Sequence, residues 1–293
     1  MEALPRPREV NPPRFSIADL RRYYDRNTAR FVSLGQGGGV GAIHRAVWGP
    51  GVRTRDEAFH YVEDRIGDHV RRLPLEVEKP HVVDLGCGVG ASLCYLAAML
   101  PTITATGVTV SLVQARLAQE RIERARLTAR VSCVEGDFVD LPPGIRPAHL
   151  AYAIEAFVHA PSPEGFFSEC RKLIVPGGLL ILCDDFKRPT SSAVAEANIA
   201  RFARGWHINT LLSSAELQEL AEEAGFEHRS TTDLTHYLEL NRPRDRVVRA
   251  ALPLVAWLPL HATRFGHLVG GTALQRCLDE RWVGYDFVVF HRR

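Results

Sequence analysis

The sequence predicts an α/β protein built on a doubly wound, seven-stranded and mostly parallel β-sheet. Short apolar segments with strand character alternate with helical segments from about residue 78 onward. A glycine-rich turn, "DLGCGVG", follows the first of these strands and leads directly into a helix. No internal repeat interrupts this order, and such alternation is typical of parallel strands with helices on both faces of the sheet.

Length and composition agree with such a fold. The protein has 293 residues, of which 46% are hydrophobic and 24% are charged, ordinary values for a soluble globular enzyme. The net charge of +2 gives no basis for binding nucleic acid or a membrane surface. No apolar run reaches the roughly 18 residues of a spanning helix, and the N-terminal residues lack the apolar core of a secretory signal. The six cysteines form no CxxC pair, which predicts free thiols and a cytoplasmic location.

The N-terminal region is predicted to be a helical lid. Residues 1–15 are rich in proline and arginine and are expected to form a disordered lead-in. Residues 16–33 carry apolar and aromatic side chains at helical spacing, with Ser16 as the N-cap. A glycine-rich loop follows, and residues 55–72 have the pattern of a second amphipathic helix, so the lid extends from 16 to 77.

The core is predicted over residues 78–241 and closes with a strand at 282–293, after a helical cap insertion at 242–281. Its strands are apolar and rich in β-branched residues, and amphipathic helices connect them. Strands are expected within 81–90, 102–110, 129–138, 148–154, 177–186, 225–240 and 282–292, and helices at 91–100, 111–126, 192–206 and 214–224.

The glycine-rich turn is a candidate ligand site, because ligands of open α/β sheets bind outside the carboxyl ends of the strands. Gly86, Gly88 and Gly90 lack Cβ atoms, so the backbone can approach a ligand closely, and the helix N-terminus adds its dipole. A carboxylate at Asp84, just before the turn, suits a cationic or amine-bearing ligand better than a pyrophosphate.

The segment "VVDLGCGVG" resembles the first motif of class I S-adenosylmethionine-dependent methyltransferases, which have a Rossmann-like fold. The resemblance implies that Asp84 and the glycines hold the methionyl part of S-adenosylmethionine, with S-adenosylhomocysteine as product. "EGDF" is similar to the adenine-binding motif of that family and assigns Gly136, Asp137 and Phe138 to the cofactor. "VPGGLLIL" at 175–182 resembles its structural turn before the fifth strand, so the likeness covers about 80–185.

The end of the second strand departs from the common pattern, since Thr109 stands where most of the family has an acid for the ribose. This version resembles the subgroup that methylates lipid alkenes, which includes enzymes acting on sterol side chains and on cyclopropane fatty acids. That resemblance implies polar contacts to the cofactor from Thr109, Ser111 and Gln114. The alternative is an ordinary strand-to-helix junction with Ser111 as N-cap.

The segment "YAIEAFVHAP" at 152–161 resembles its counterpart in the C-methyltransferases of sterol side chains, and "YYDRNTARF" resembles their lid. Bacterial terpenoid C-methyltransferases, of the teleocidin type or acting on prenyl diphosphates, are the nearer comparison. An alkene that attacks a methyl group becomes a carbocation, which must then lose a proton to a base. Glu155 and His159 are the candidate bases, Glu155 being equally suited to balance the sulfonium charge, and Tyr23 is a further catalytic candidate.

Two sets of residues are candidates for the acceptor. Electron-rich walls for a carbocation are expected from Tyr23, Tyr24, Trp48, Phe157 and Trp206, with ordinary core packing as the alternative. A diphosphate would need cations, for which the candidates are His44, Arg45, Arg201, Arg204 and His207, with a solvated face as the alternative. Mg²⁺ is expected only with a diphosphate substrate, because the adjacent aspartates of "CDDF" are no metal motif by themselves.

These patterns predict methyl transfer from S-adenosylmethionine to an alkene carbon of a hydrophobic isoprenoid or prenylated natural product, with the carbocation quenched by proton loss or cyclisation. The alternatives are an O- or N-methyltransferase that tailors secondary metabolites and a non-catalytic relative that binds the cofactor or a partner. No nucleic-acid partner is expected. The apolar stretch at 250–270 is a candidate contact surface for a homo-oligomer.

Overall fold

The computed structural model describes residues 15–34, 41, 43–74, 77–240 and 266–293. The predicted N-terminal lead-in lies almost wholly outside these residues, as does much of the glycine-rich loop. The predicted oligomer contact at 250–270 and the first part of the cap insertion also lie outside them, up to residue 265. In the described part of the protein, no helix is both long and apolar enough to cross a bilayer.

Seven strands form one sheet among the described residues, in the order β3-β2-β1-β4-β5-β7-β6. Strand β7 runs antiparallel to β5 and β6, and the remaining pairs are parallel. The predicted doubly wound, mostly parallel sheet is therefore confirmed. The strands are β1 (His81–Leu85), β2 (Thr104–Thr109), β3 (Val131–Glu135), β4 (Ala148–Ile154), β5 (Ile174–Lys187), β6 (Phe226–Asp233) and β7 (Val283–Arg292).

Eight helices are described, and most of those with a described N-cap begin at a serine or threonine. The side chain of Thr54, for example, accepts from the backbone N–H of Glu57, whose carboxylate accepts from the Thr54 N–H in return. The helices are α1 (Ile17–Leu34), α2 (Arg55–Arg71), α3 (Ala91–Met99), α4 (Leu112–Arg124), α5 (Pro163–Leu173), α6 (Ala193–Trp206), α7 (Ser214–Glu223) and α8 (Gly266–Asp279).

The helices cover both faces of the sheet. Helices α2, α3, α4 and α8 contribute to one hydrophobic core, and α5 and α7 contribute to the other. Helices α6 and α8 pack against each other through Phe202 and Ala273, beside Val158 in the 3-10 helix Phe157–His159 that follows β4. The described part of the predicted cap insertion is thus a helix next to the carboxyl edge of the sheet.

The sixth strand is shorter than predicted. Strand β6 stops at Asp233, and a short 3-10 helix, Thr235–Tyr237, occupies part of the segment expected to continue it. The Asp233 carboxylate accepts a hydrogen bond from the Thr235 N–H at 2.8 Å, which turns the backbone away from the sheet. Apolar alternation alone does not reveal this turn.

Phe157 belongs to the hydrophobic core and not to the aromatic wall in which the sequence places it. It begins the 3-10 helix Phe157–His159, which turns its ring back under α5. The ring packs against Phe166 and Phe167 with centroids 5.0 and 5.9 Å apart, and only 1% of the residue is exposed.

We therefore expect Phe157→Ala to lower the free energy of unfolding by about 3–5 kcal/mol, because the lost ring leaves a cavity among the other phenylalanines. Urea unfolding measures the change, and Phe157→Leu, which refills most of that volume, should cost clearly less. Unchanged stability in Phe157→Ala, with weaker acceptor binding, would contradict the core assignment.

Candidate active site

A cavity of about 430 Å³ lies at the carboxyl edge of the sheet. Its floor comes from residues at or just after the ends of β1, β2, β3 and β4 and from Asp184 and Asp185 near the end of β5. Its walls come from α1, α6 and α8. Parallel strands end together at this edge, so segments far apart in sequence meet here. The predicted site residues that line the cavity are Tyr24, His44, Arg45, Asp84, Gly86, Gly88, Thr109, Gln114, Asp137, Phe138, Glu155, His159 and Trp206.

The glycine-rich turn brings the backbone into contact with the segment that follows β4. Gly86 has a φ of 95°, and a Cβ built on it would lie 2.4 Å from the Cβ of Ala156. Gly90 serves a different purpose: it begins α3 with a φ of 72°, and its Cβ would lie 3.0 Å from the Cβ of Ala118 on α4. Only a glycine fits either position, and Gly90 supports helix packing without lining the cavity.

Asp84 is 3% exposed and accepts a hydrogen bond from the Tyr152 hydroxyl at 2.9 Å. Burial raises the pKa of this carboxyl to about 7, and the hydrogen bond only partly offsets that effect. A ligand carrying an amine or a sulfonium would favour the ionised form. Asp84 thus fits the role that the sequence assigns to it.

The junction after β2 is a network of neutral polar groups. The Thr109 hydroxyl donates to the Gln114 Oε1 at 2.8 Å, and both residues line the cavity. Ser111 is fully buried, accepts from the Gln114 N–H as N-cap of α4, and donates to the Asp25 carboxylate of α1. The N-cap interpretation of Ser111 agrees with the structure, and its second bond ties α1 to the sheet.

The segment after β3 provides the wall expected for adenine. Asp137 and Phe138 line the cavity, and the Asp137 carboxylate accepts from the Val139 N–H at 2.9 Å. Burial raises the pKa of Asp137 above its usual value. Gly136 packs against Pro142, to which its Cβ would approach within 2.7 Å, and does not line the cavity.

These residues fit S-adenosylmethionine. A buried carboxyl at Asp84 suits its amine and sulfonium, and the carboxyl and ring at Asp137 and Phe138 suit adenine. Thr109 and Gln114 provide uncharged hydrogen-bonding groups between them.

Glu155 anchors an ion cluster. It has a φ of 50°, and its Oε1 accepts from the Arg45 N–H, the Arg45 Nε and the Tyr285 hydroxyl at 2.8, 3.0 and 3.0 Å. Burial opposes its charge, but Arg45 outweighs burial and lowers the pKa of Glu155, which is therefore ionised at neutral pH. Arg45 also binds the Asp185 carboxylate through Nη1 at 2.9 Å and lies over the Tyr285 ring, 4.1 Å from its centroid.

His44 is bound within the protein through both ring nitrogens. Its Nε2 lies 2.8 Å from Glu63 Oε1, which also accepts from the Ser92 hydroxyl at 2.7 Å, and its Nδ1 lies 3.1 Å from the Arg45 carbonyl. Burial lowers the pKa of His44, but the Glu63 carboxylate more than compensates and raises it to about 9. His44 is thus an imidazolium whose two N–H groups are donated to protein acceptors.

Among the described residues, the cations predicted for a diphosphate do not gather into a pocket of unpaired positive charge. The charges of His44 and Arg45 are matched by carboxylates, and Arg201 and Arg204 are on α6 and do not line the cavity. His207 packs its ring on Tyr23 and Phe15, each with centroids 4.3 Å apart. Helical spacing predicted that the α6 arginines share a face, but that face is turned away from the cavity.

His159 forms a hydrogen-bonded pair with Tyr24. The His159 Nδ1 lies 3.0 Å from the His207 carbonyl, which can only accept, so Nδ1 carries the proton. The Nε2, 2.8 Å from the Tyr24 oxygen, therefore accepts from the Tyr24 hydroxyl. Burial lowers the pKa of His159 to about 4, which keeps the imidazole neutral at physiological pH.

Of the remaining aromatic residues predicted for the cavity wall, one lines the cavity and two do not. Trp206 lines the cavity, whereas Tyr23 lies behind Tyr24, with ring centroids 5.3 Å apart. Trp48 packs in a small cluster around Phe59 and does not line the cavity.

Sequence reasoning missed several lining residues, among them Asp184, Phe202, Gly271 and Leu274. The Asp184 carboxyl is fully buried and accepts from the Val158 N–H at 3.1 Å, beside His159. The "CDDF" motif was visible in the sequence, but its adjacent aspartates are no metal motif by themselves and indicated no other role. In the described part of the protein, no group of three or more His, Cys, Asp or Glu side chains could hold a metal ion.

Curated proteins with similar sequences include methyltransferases of two kinds. The O-methyltransferase cnsE of Penicillium expansum is 29% identical over 197 residues, 66% of this protein and 68% of that one. The 24-methylenesterol C-methyltransferase 2 of Oryza sativa subsp. japonica is 29% identical over 186 residues, 62% of this protein and 50% of that one.

Solved structures show the same fold. Geranyl diphosphate C-methyltransferase from Streptomyces coelicolor, solved with Mg²⁺, geranyl diphosphate and S-adenosyl-L-homocysteine, has a TM-score of 0.67 and 17% identity over 97% of this protein and 100% of that one. The cyclopropane synthase MmaA2 of Mycobacterium tuberculosis has a TM-score of 0.72 and 14% identity over 96% of this protein and 99% of that one.

The state of Asp84 predicts that S-adenosylmethionine binds more tightly as the pH rises. With a pKa of about 7, the carboxyl is mostly protonated at about pH 6 and mostly ionised at about pH 8, so the Kd should fall about tenfold between them. Isothermal titration calorimetry measures the Kd. Asp84→Asn is the control, because the amino group of the ligand titrates equally against both proteins. An equal pH dependence in the two proteins would contradict the role of Asp84.

Sequence and fold agree on the class of this protein. Residues 82–178 match the family model described as a methyltransferase domain. That segment contains the glycine-rich turn, Asp84, Asp137 and the strand that leads to Glu155, all of which border one cavity. The protein carries a class I S-adenosylmethionine-dependent methyltransferase domain, and it resembles sterol and terpenoid C-methyltransferases.

Proposed function

We propose that the protein transfers a methyl group from S-adenosylmethionine to an alkene carbon of an uncharged isoprenoid or prenylated acceptor. The observation that supports this most is the part of the cavity lining that the predicted cofactor residues do not form. There a neutral His159 and the aromatic side chains of Tyr24, Phe202 and Trp206 border the cavity together with buried carboxyl groups.

Such a wall suits a carbocation. The cations of His44 and Arg45 line the cavity beside a larger number of carboxyl groups, among them Glu155, Asp184 and Asp185. Burial raises the pKa of Asp184 well above its usual value, and a cation nearby would favour its ionised form. The rings of Tyr24 and Trp206 add electron-rich surface, which attracts positive charge. An alkene is a weak nucleophile, so the apolar walls must also exclude water and align the double bond.

When bound, S-adenosylmethionine supplies the electrophilic methyl group, and the protein must then accept a proton from the methylated acceptor. The Nε2 of His159 is suited to this, because it carries no proton and faces the Tyr24 hydroxyl at the cavity wall. A pKa of about 4 is sufficient, since a proton next to a carbocation is strongly acidic. Tyr24 can pass its own proton to Nε2 as it receives one from the acceptor.

Glu155 is less suited to be the base. Three hydrogen bonds hold its Oε1, and its charge is matched by Arg45. We propose that it fixes Arg45 and offers negative charge to the cation. The absence of a cationic pocket among the described residues supports an acceptor without a diphosphate, for which no Mg²⁺ is needed.

A second candidate is methylation of a hydroxyl group, which two observations favour. The Tyr24–His159 pair can take a proton from an alcohol as readily as from a carbon, and O-methyltransferases are among the relatives with the longest matches. The product decides between the two. Nothing in the described part of the cavity specifically favours an amine acceptor over a hydroxyl.

The deciding experiment offers methyl-labelled S-adenosylmethionine with prenyl alcohols, prenyl diphosphates and prenylated metabolites. Mass spectrometry locates products with one added methylene, and NMR shows whether the label is on carbon or oxygen. We expect C-methylated products from the uncharged acceptors. A methyl ether as the sole product would support the second candidate and reject the first.

His159→Ala should lower kcat about 10²- to 10⁴-fold, the usual loss for a general base, without changing the affinity for S-adenosylhomocysteine. Tyr24→Phe keeps the ring and removes the relay, so its loss should be smaller. Steady-state kinetics and calorimetry measure the two quantities. Full turnover in His159→Ala would show that another group takes the proton.

Glu155→Gln should act mainly on stability. It removes the charged partner of Arg45 from a buried cluster, which we expect to cost about 1.5–3 kcal/mol in the free energy of unfolding. Denaturant unfolding measures this cost, and Asp185→Asn is the matched control at the other end of Arg45. A stable Glu155→Gln protein without turnover would instead show that the Glu155 carboxylate takes part in the reaction, as the base or as the charge opposite the cation.

A further inference from the structure

Two adjacent glycines in the middle of α8 have different surroundings. A Cβ on Gly270 would lie 2.8 Å from both the Gly205 Cα and the Trp206 Cδ1 of α6, so the contact between α6 and α8 requires a glycine there. A Cβ on Gly271 would meet only the Trp206 Nε1 among the described residues, at an ordinary contact distance of 3.9 Å. Helix packing explains Gly270 and leaves Gly271 unexplained.

Gly271 lines the cavity next to Trp206. A glycine in the interior of a helix lowers its stability relative to alanine, because a glycine loses more conformational freedom on folding. No left-handed backbone conformation compensates at this position, since Gly271 is not among the glycines with positive φ. Gly271 therefore makes α8 less stable than an alanine would, and it leaves open space at the cavity wall.

We propose that Gly271 is a specificity-determining residue, whose missing side chain leaves the space beside Trp206 that the far end of a long apolar acceptor occupies. This rests on the proposed function in one respect, that the acceptor lies on the α6 and α8 side of the cavity. Phe202 and Leu274 form the apolar surface around this space. A larger residue at position 271 would enter it and shorten the longest acceptor that fits.

The test measures binding and needs no turnover. The full-length protein is saturated with S-adenosylhomocysteine and titrated with geraniol, farnesol and geranylgeraniol, and quenching of tryptophan fluorescence reports each Kd. We expect Gly271→Leu to weaken the longest alcohol that the native protein binds by about ten- to a hundredfold, because a filled pocket rejects extra methylenes. Binding of the shortest alcohol should change by no more than about twofold.

Two further variants separate specificity from folding. Gly271→Ala should have a Tm equal to or above that of the native protein, since alanine fits the position and favours the helix, and should show the same length dependence in weaker form. Gly270→Ala should lower the Tm, because its Cβ has no room. In both Gly271 variants the affinity for S-adenosylhomocysteine should stay unchanged.

An equal loss of affinity for every alcohol, or none for the longest, would overturn the proposal, as would a fall in the Tm of Gly271→Ala. The outcome is separable from that of the proposed function. A shift in length preference without any C-methylated product would leave the role of Gly271 standing and reject the chemistry. C-methylation with an unchanged length preference in Gly271→Leu would support the proposed chemistry and reject the role of Gly271.

Discussion

The ion cluster around Arg45 is the interaction on which the site depends. Arg45 precedes α2, yet its backbone N–H and guanidinium bind Glu155 at the end of β4, and its Nη1 binds Asp185 in β5. A buried charge without a partner costs several kcal/mol, so these groups stabilise one another only when the N-terminal segment lies on the sheet edge. The bond from Ser111 to Asp25 fixes α1 over the same edge. The covered cavity follows from these two attachments.

The pairing of cations with carboxylates at the cavity edge also affects which ligands the cavity suits. His44 and Arg45 carry positive charge, but Glu63, Glu155 and Asp185 neutralise it. The cavity keeps apolar walls, a neutral histidine and buried carboxyl groups. Such a lining favours positive charge over phosphate. This one property agrees with the sulfonium of the cofactor, with the proposed carbocation and with the proposed uncharged acceptor.

Much of the cavity lining around the glycine turn could be predicted from the sequence, because its residues lie at or just after the ends of strands. Asp84 and the glycine turn belong to the end of one strand, Thr109 and Gln114 to the next, and Asp137 to the third, so each strand end carries its own local signal. Parallel topology then places all three ends at one edge. The fourth strand was also predicted with its observed bounds, 148–154, since mostly apolar residues mark it.

The sequence by itself determined the fold class, the glycine turn and the position of His159 after β4, because periodicity and local motifs depend on neighbouring residues. Only the tertiary structure decided which long side chains face the cavity. Phe157 turns into the core, Arg201 and Arg204 stay outside the cavity, and Arg45 is matched by carboxylates more than 100 positions away. No local pattern marks Gly271, and the role that we propose for it depends on its position beside Trp206 of α6. Orientation and charge pairing depend on contacts between distant segments, and no local pattern encodes them.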